Sequence, residues 1–166
     1  MYGRKDITYI RLICAGRLRE KYYIEAFEEY SKRLGAFIKF ECVEISEQKT
    51  GDTPSAGEIS KALEKETRDI LKQIPEGAFT VALCIEGRKL SSEKLAEQIS
   101  ALEGSGRSKI CFIIGSSFGL SDTVKNRADL KLSMSDMTFP HHLARVMLSE
   151  QIYRAYMINS GSRYHK

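Results

Sequence analysis

The sequence predicts one α/β domain over residues 1–166, built on a mainly parallel sheet. Three observations carry that expectation. Segments with strand and helix periodicity alternate almost from end to end, five of each. Segments 7–15, 78–85 and 109–114 (ITYIRLICA, AFTVALCI and KICFII) are nearly continuous apolar runs, the pattern of strands covered by helices on both faces. No tight hairpin signal joins neighbouring runs.

The first strand, 7–15, is β-branched and apolar, and Gly16 ends it. Residues 20–34 carry Tyr23, Ala26, Phe27, Tyr30 and Leu34 at helical spacing. Residues 37–45 set Phe37, Lys39 and Glu41 against Ile38, Phe40 and Cys42, the alternation of a half-buried strand. Segment 46–54 (SEQKTGDTP) has no apolar periodicity and is expected as a surface loop. Ser55 followed three residues later by Glu58 fits a capping box. The helix it starts runs through Ile59, Leu63, Ile70 and Ile74, and Pro75-Glu76-Gly77 ends it. Strand 78–85 follows, then a helix capped by Ser91 or Ser92 that ends near Gly104-Ser105-Gly106. After strand 109–114 come Gly115-Ser116-Ser117-Phe118-Gly119, a short helix from Ser121, a short strand 130–133, a loop 134–139 and a long helix 140–159.

The chain has 166 residues, 42% hydrophobic and 29% charged, which excludes disorder and collagen-like repetition. No apolar run approaches the roughly 20 residues of a membrane-spanning helix, so no membrane partner is expected. The opening MYGRKDITYI has neither an apolar core nor a small-residue cleavage site, so no secretory signal is expected. Cys14, Cys42, Cys84 and Cys111 form no CxxC pair, and each sits in or beside a strand run. They read as reduced packing residues of a cytoplasmic protein. Lys plus Arg number 26 against 22 acids, a net charge of +4 that permits a polyanionic partner without requiring one. The charge is polarised, because Arg145, Arg154, Arg163 and Lys166 face a single acid, Glu150, in the last stretch.

Ligands of parallel sheets gather at the carboxyl ends of strands, near a switch in strand order. That points to segments 85–87, 115–119 and 134–139. Neither GxxxxGK[ST] nor GxGxxG occurs, so neither a P-loop nor a dinucleotide fingerprint is supported. Gly115 and Gly119 bracket a turn after a buried strand, which suits close approach of a ligand to the backbone and equally an ordinary turn. His141 and His142 follow Pro140 at a helix start, where adjacent side chains are expected to diverge. With no acid or cysteine at ligand spacing, no metal is expected. Helix 140–159 carries Leu143, Val146, Met147, Ile152 and Tyr156 on more than one face, as a dimer interface or the central helix of a monomer would require. The closing Arg163-Tyr164-His165-Lys166 offers cations for phosphate and a ring for base stacking, or simply a solvated end. Its small apolar surface leads to the expectation that it matters little to the core.

The C-terminal block is the most distinctive part of the chain. Its pieces are Ile113-Ile114-Gly115, Gly119-Leu120-Ser121, Leu132-Ser133, Met137-Thr138-Phe139-Pro140-His141, Arg145-Val146, Glu150-Gln151-Ile152-Tyr153-Arg154-Ala155 and Tyr164-His165-Lys166. Together they closely resemble the bacterial ribosomal RNA large subunit methyltransferase H family of the SPOUT class. The opening strand, Leu83 to Gly87 and the chain length fit too, so the resemblance spans essentially the whole chain. It implies a SPOUT-type α/β fold with a C-terminal trefoil knot, which general chain statistics would not suggest, and a homodimer. It also implies methyl transfer from S-adenosylmethionine to N3 of a pseudouridine in large-subunit ribosomal RNA on the assembled ribosome.

Carried over position by position, the cofactor residues would be Leu83, Gly115, Met134, Ser135, Asp136, Met137, Thr138 and Phe139. Many relatives have two glycines where this chain has Gly115-Ser116, and Pro or Ser before an acid or Asn where it has Ser117-Phe118. A side chain at Ser116 narrows the backbone approach, and its small size is expected to leave the site working. Methyl transfer from a sulfonium is an in-line displacement that depends on alignment and needs no metal. The N3 proton must leave, so a base or a cation would assist. Arg154, Tyr153 and His165 are the expected catalytic residues, and Arg145, Arg163, Tyr164 and Lys166 the expected RNA contacts. A non-catalytic ribosome- or RNA-binding relative would keep the tail and lose the cofactor loop, whereas this chain carries both. A small-molecule or nucleotide-binding α/β protein would have no need of the tail.

Overall fold

A computed structural model describes residues 6–165. Its strands are β1 (Tyr9–Ala15), β2 (Lys39–Ile45), β3 (Phe79–Lys89), β4 (Lys109–Ile114) and β5 (Leu130–Ser133). Its helices are α1 (Lys21–Leu34), α2 (Ala56–Gln73), α3 (Ser92–Gly104), α4 (Asp122–Arg127) and α5 (His141–Asn159). The strands form one sheet in the order β2-β1-β4-β3-β5, with every neighbouring pair parallel.

Alternation along the inner strands divides the core into two layers. Ile10, Leu12 and Cys14 of β1, with Ile110, Phe112 and Ile114 of β4, pack against α1, α3 and α5. Ile13 and Ala15, with Cys111 and Ile113, face the other way onto Ile70 of α2 and Val124 of α4. Both faces of these strands are therefore covered, which is why their sequences read as unbroken apolar runs. Each fully buried Ile or Phe contributes about 1.5–3 kcal/mol relative to exposure. β2 lies at the sheet edge, and Phe40 to Val43 are accordingly half-buried in a run rather than in strict alternation. Cys14 and Cys111 are buried, Cys42 and Cys84 half-buried, and all four are free thiols. Among the described residues, no helix is long and apolar enough to cross a membrane.

Serines start three helices by accepting backbone N–H bonds that would otherwise go unpaired: Ser55 from Glu58, Ser91 from Lys94 and Ser121 from Val124. The Ser55 box is only half reciprocal, because the Glu58 carboxylate accepts from the Ser55 hydroxyl at 3.2 Å. Two further expectations change. β3 extends past residue 85 to Lys89, and it leaves its ladder on the way. Leu83 pairs with Leu132, and the next pair, Arg88, meets the same Leu132, so Cys84 to Gly87 stand out of register. Gly87 permits this, since a Cβ there would lie 2.7 Å from the Leu132 carbonyl carbon. α5 packs between α1 and α3, which absorbs most of its apolar surface within the chain. Leu143, Val146 and Met147 remain half-buried on its free side.

Candidate active site

The carboxyl ends of β3, β4 and β5 open onto a cavity of about 760 Å³, within the range that encloses small organic ligands. Its walls are Leu83 with the out-of-register residues Cys84 to Glu86, the turn Gly115 to Leu120, the loop after β5 and the start of α5. The turn closes where the Gly119 N–H donates to the Ser116 carbonyl at 2.8 Å. A Cβ on Gly115 would lie 2.3 Å from the Gly119 carbonyl oxygen, so glycine is required by the turn itself. Gly119 has φ +77°, a conformation that side chains disfavour.

Beneath the turn, the Ser116 hydroxyl donates to Glu66 at 2.9 Å and accepts from the Phe118 N–H at 3.4 Å. One of its bonds thus runs beneath the turn to Glu66 and the other stays within the turn. Glu66 is 2% exposed and also accepts from the Gln48 N–H at 3.0 Å. Burial pushes its carboxyl above the usual carboxylate range, against the pull of those two bonds. At the cavity mouth, Ile85 and Met137 are 55% and 73% exposed, two large apolar side chains without cover. Lys125 pairs with Glu86 beside them, which holds the Glu86 carboxyl below its usual range. In the loop after β5, the Ser133 hydroxyl donates to the Ser135 carbonyl, and Ser135 Oγ accepts from the Met137 N–H, both at 3.0 Å.

A second cluster forms where the last described residues fold back on α5. Glu150 accepts from Arg154 Nε at 2.9 Å and Nη2 at 2.5 Å, and from the Tyr164 hydroxyl at 3.2 Å. The Tyr164 ring lies 4.8 Å from the Arg154 guanidinium and edge-on to Tyr153 at 5.0 Å. Arg154 Nη1 meets His165 Nδ1 at 3.2 Å, and His165 Nε2 meets Glu93 Oε1 at 2.7 Å. A guanidinium offers no lone pair, so Nδ1 accepts and the ring proton sits on Nε2, donating to Glu93. Burial and the Glu150 carboxylate push the Tyr164 phenol up to about 12. Glu150 borders a neighbouring cavity of about 510 Å³, and Met134 lines both cavities.

Of the expected cofactor residues, Leu83, Gly115, Met134, Ser135, Met137, Thr138 and Phe139 line the larger cavity. Asp136 does not line it; its exposed carboxylate pairs with Lys89 at 2.6 Å. Arg145 is corrected as an RNA contact. It is 2% exposed, with Nη1 donating to Glu44 and Nη2 to the Gly16 carbonyl, each at 2.8 Å. Tyr153, expected as a catalytic residue, has its ring packed among Tyr30, Phe37 and Tyr164. Tyr164 packs against the main core cluster, so the tail does take part in the fold. Arg163 is exposed, and Lys166 lies outside the described residues. His141 and His142 do not diverge. Their ring centroids lie 4.2 Å apart, at the junction of the extended Pro140 backbone and the first helical turn. Ile85 and Glu86 belong to the strand-end segment 85–87 that the sequence singles out, and they line the cavity together with Cys84. Glu66 sits between Ala62 and Ile70 at four-residue spacing, an acid on a buried helical stripe.

A family model described as "Predicted SPOUT methyltransferase" matches residues 8–165. A protein of Clostridium novyi (strain NT) named ribosomal RNA large subunit methyltransferase H is 49% identical over 157 residues, covering 95% of this chain and 99% of its own. A Streptococcus suis (strain 05ZYH33) protein of the same name is 46% identical with the same coverage. Among solved structures, "a probable methylase family protein" from Haemophilus influenzae Rd KW20 superposes with a TM-score of 0.54 at 14% identity, covering 95% of this chain and 70% of that one. A "Probable Methyltransferase" from Bordetella pertussis Tohama I gives 0.56 at 16% identity, covering 88% and 95%. At such identities the structural likeness speaks for the fold.

Proposed function

The chain belongs to the SPOUT methyltransferase family, and from that premise we propose that it methylates large-subunit ribosomal RNA. The donor is S-adenosylmethionine, and the acceptor is N3 of pseudouridine 1915 in 23S rRNA. One observation carries the reading: Met134 joins the strand-end cavity to a second cavity bordered by the Glu150-centred tail cluster. The first cavity suits the donor in size, and Ile85 and Met137 offer apolar cover for a purine at its mouth. When bound, the donor supplies an electrophilic methyl group on a sulfonium. The turn 115–119 and the hydrogen-bonded loop after β5 orient that group, which is where in-line transfer gains most of its rate.

The tail cluster handles the acceptor. Arg154, fixed by Glu150 and by the ring above it, is a cation placed to stabilise the anionic base as its N3 proton leaves. His165 has both nitrogens engaged, so it accepts a proton only after Arg154 turns from Nδ1 towards the substrate. Tyr164 and Arg163 serve base stacking and phosphate contact. The homodimer, the C-terminal knot and action on the assembled ribosome in the cytoplasm belong to the same proposal; the half-buried Leu143, Val146 and Met147 support the dimer.

Ribosomes from a strain lacking this gene, incubated with the protein and labelled S-adenosylmethionine, test the reading by mass mapping of 23S rRNA. One methyl group on that pseudouridine is expected. Ribosome binding without label transfer would point to a non-catalytic RNA-binding protein. Calorimetric binding of NAD or ATP in place of S-adenosylmethionine would overturn the donor.

A further inference from the structure

A cluster of metal-ligating side chains stands beside the larger cavity, at the carboxyl ends of β1 and β2, and methyl transfer makes no use of it. Glu47 in the loop after β2, and His141 and His142 at the start of α5, each place a donor atom within 4.8 Å of the other two. Glu47 Oε2 lies 3.6 Å from His141 Nε2, too long for a hydrogen bond. It is close to the edge of about 3.3 Å that separates two ligands of a tetrahedral ion at about 2.0–2.1 Å.

Three further features converge on the same space. His141 Nε2 and His142 Nε2 are both buried without a hydrogen-bond partner, although buried ring nitrogens are normally satisfied. Gly16 supplies the room: a Cβ there would lie 2.8 Å from Glu47 Oε2 and 3.6 Å from His142 Nε2. Behind His142, Glu20 Oε2 lies 3.7 Å from Nδ1, beyond hydrogen-bond length but on the side from which an outer carboxylate would orient a ligating imidazole. Arg145, whose charge acts on His141, is committed to Glu44 and the Gly16 carbonyl.

We infer that Glu47, His141 and His142 form a site for a divalent transition metal of the zinc class. Two imidazoles and one carboxylate suit zinc or cobalt better than magnesium or calcium, which prefer oxygen alone. Three protein ligands leave one position open. His141 also lines the larger cavity, so that position is within reach of whatever the cavity holds. Occupancy would tie the loop after β2 to the start of α5, directly behind the loop that follows β5.

The full chain, stripped with a chelator and kept reduced, is titrated with cobalt(II). Its visible absorption reports tetrahedral coordination, and the absence of a thiolate charge-transfer band separates this donor set from the cysteines. One equivalent per chain is expected, displaced one-for-one by zinc(II). Glu47→Gln, His141→Gln and His142→Gln should each weaken binding at least tenfold, while Cys42→Ser and Cys84→Ser leave it unchanged. Zinc should also raise the melting temperature of the unsubstituted chain and not of these three variants. Glu47 sits on a surface loop, so its variant keeps the test open should a histidine variant fail to fold. The inference is overturned if no cobalt binds, if binding survives all three substitutions, or if it disappears with the cysteines.

Discussion

Gly115 is held to glycine by contact and Gly119 by conformation. A methyl group on Gly119 meets open space but must adopt φ +77°, so Gly119→Ala should cost about 1–2 kcal/mol and leave the cavity formed. Gly115→Ala forces a carbon to 2.3 Å from the Gly119 carbonyl oxygen. Urea denaturation should therefore find it the less stable of the two, and calorimetry should find donor binding lost only there. Equal stability and equal binding would remove the turn from the site. Glu66 makes a second prediction. Its folded pKa lies above its unfolded value, so its protonated form is favoured by folding. That contribution is complete below the ordinary value of 4.5 and fades as pH rises through the raised one. Glu66→Gln keeps an acceptor for Gln48 and does not titrate. Its stability relative to the unsubstituted protein should improve as pH is raised from about 4 to about 8; a steady decline over that range would refute the buried-acid assignment. Gly115 was legible in the sequence because a glycine after an apolar strand is a local signal. The Ser116–Glu66 bond was not, because it joins residues 50 positions apart.

The helices and inner strands were readable because caps and periodicity are local properties, as at Ser55, Ser91 and Ser121. The far end of β3 was not. Glu86-Gly87-Arg88-Lys89 carries no apolar pattern and is extended only because Arg88 and Lys89 pair with β5. The tail was misjudged for a related reason. Four residues hold little apolar area, yet Tyr164 reaches a groove made by Tyr153, Arg154 and Glu150. Deleting residues 163–166 should accordingly lower stability by about 1–2 kcal/mol through lost aromatic packing, besides abolishing methyl transfer. Tyr164→Phe keeps the ring and loses only the bond to Glu150, about 0.5–1.5 kcal/mol. Thermal melts that rank the truncated chain equal to the full one would return the tail to solvent.

The parallel α/β class follows from the alternation of elements, but the order β2-β1-β4-β3-β5 depends on which crossovers close, and no local pattern encodes that. Oligomeric state belongs to the same scale. α1 and α3 cover two sides of α5 and leave Leu143, Val146 and Met147 half-buried, the face that the proposed dimer would use. Sedimentation equilibrium at micromolar concentration should give twice the 18.8 kDa chain mass, and Val146→Glu should return the single chain. A single chain without that substitution would overturn the dimer. The register break in β3 bears on the protein's internal motion. Cys84, Ile85 and Glu86 have no ladder partner on either side, so their amide hydrogens lack the protection of the sheet around them. In deuterated water they should exchange far ahead of Val81 and Ala82. A bound donor that lies across them should slow that exchange, turning one wall of the cavity into its own occupancy reporter.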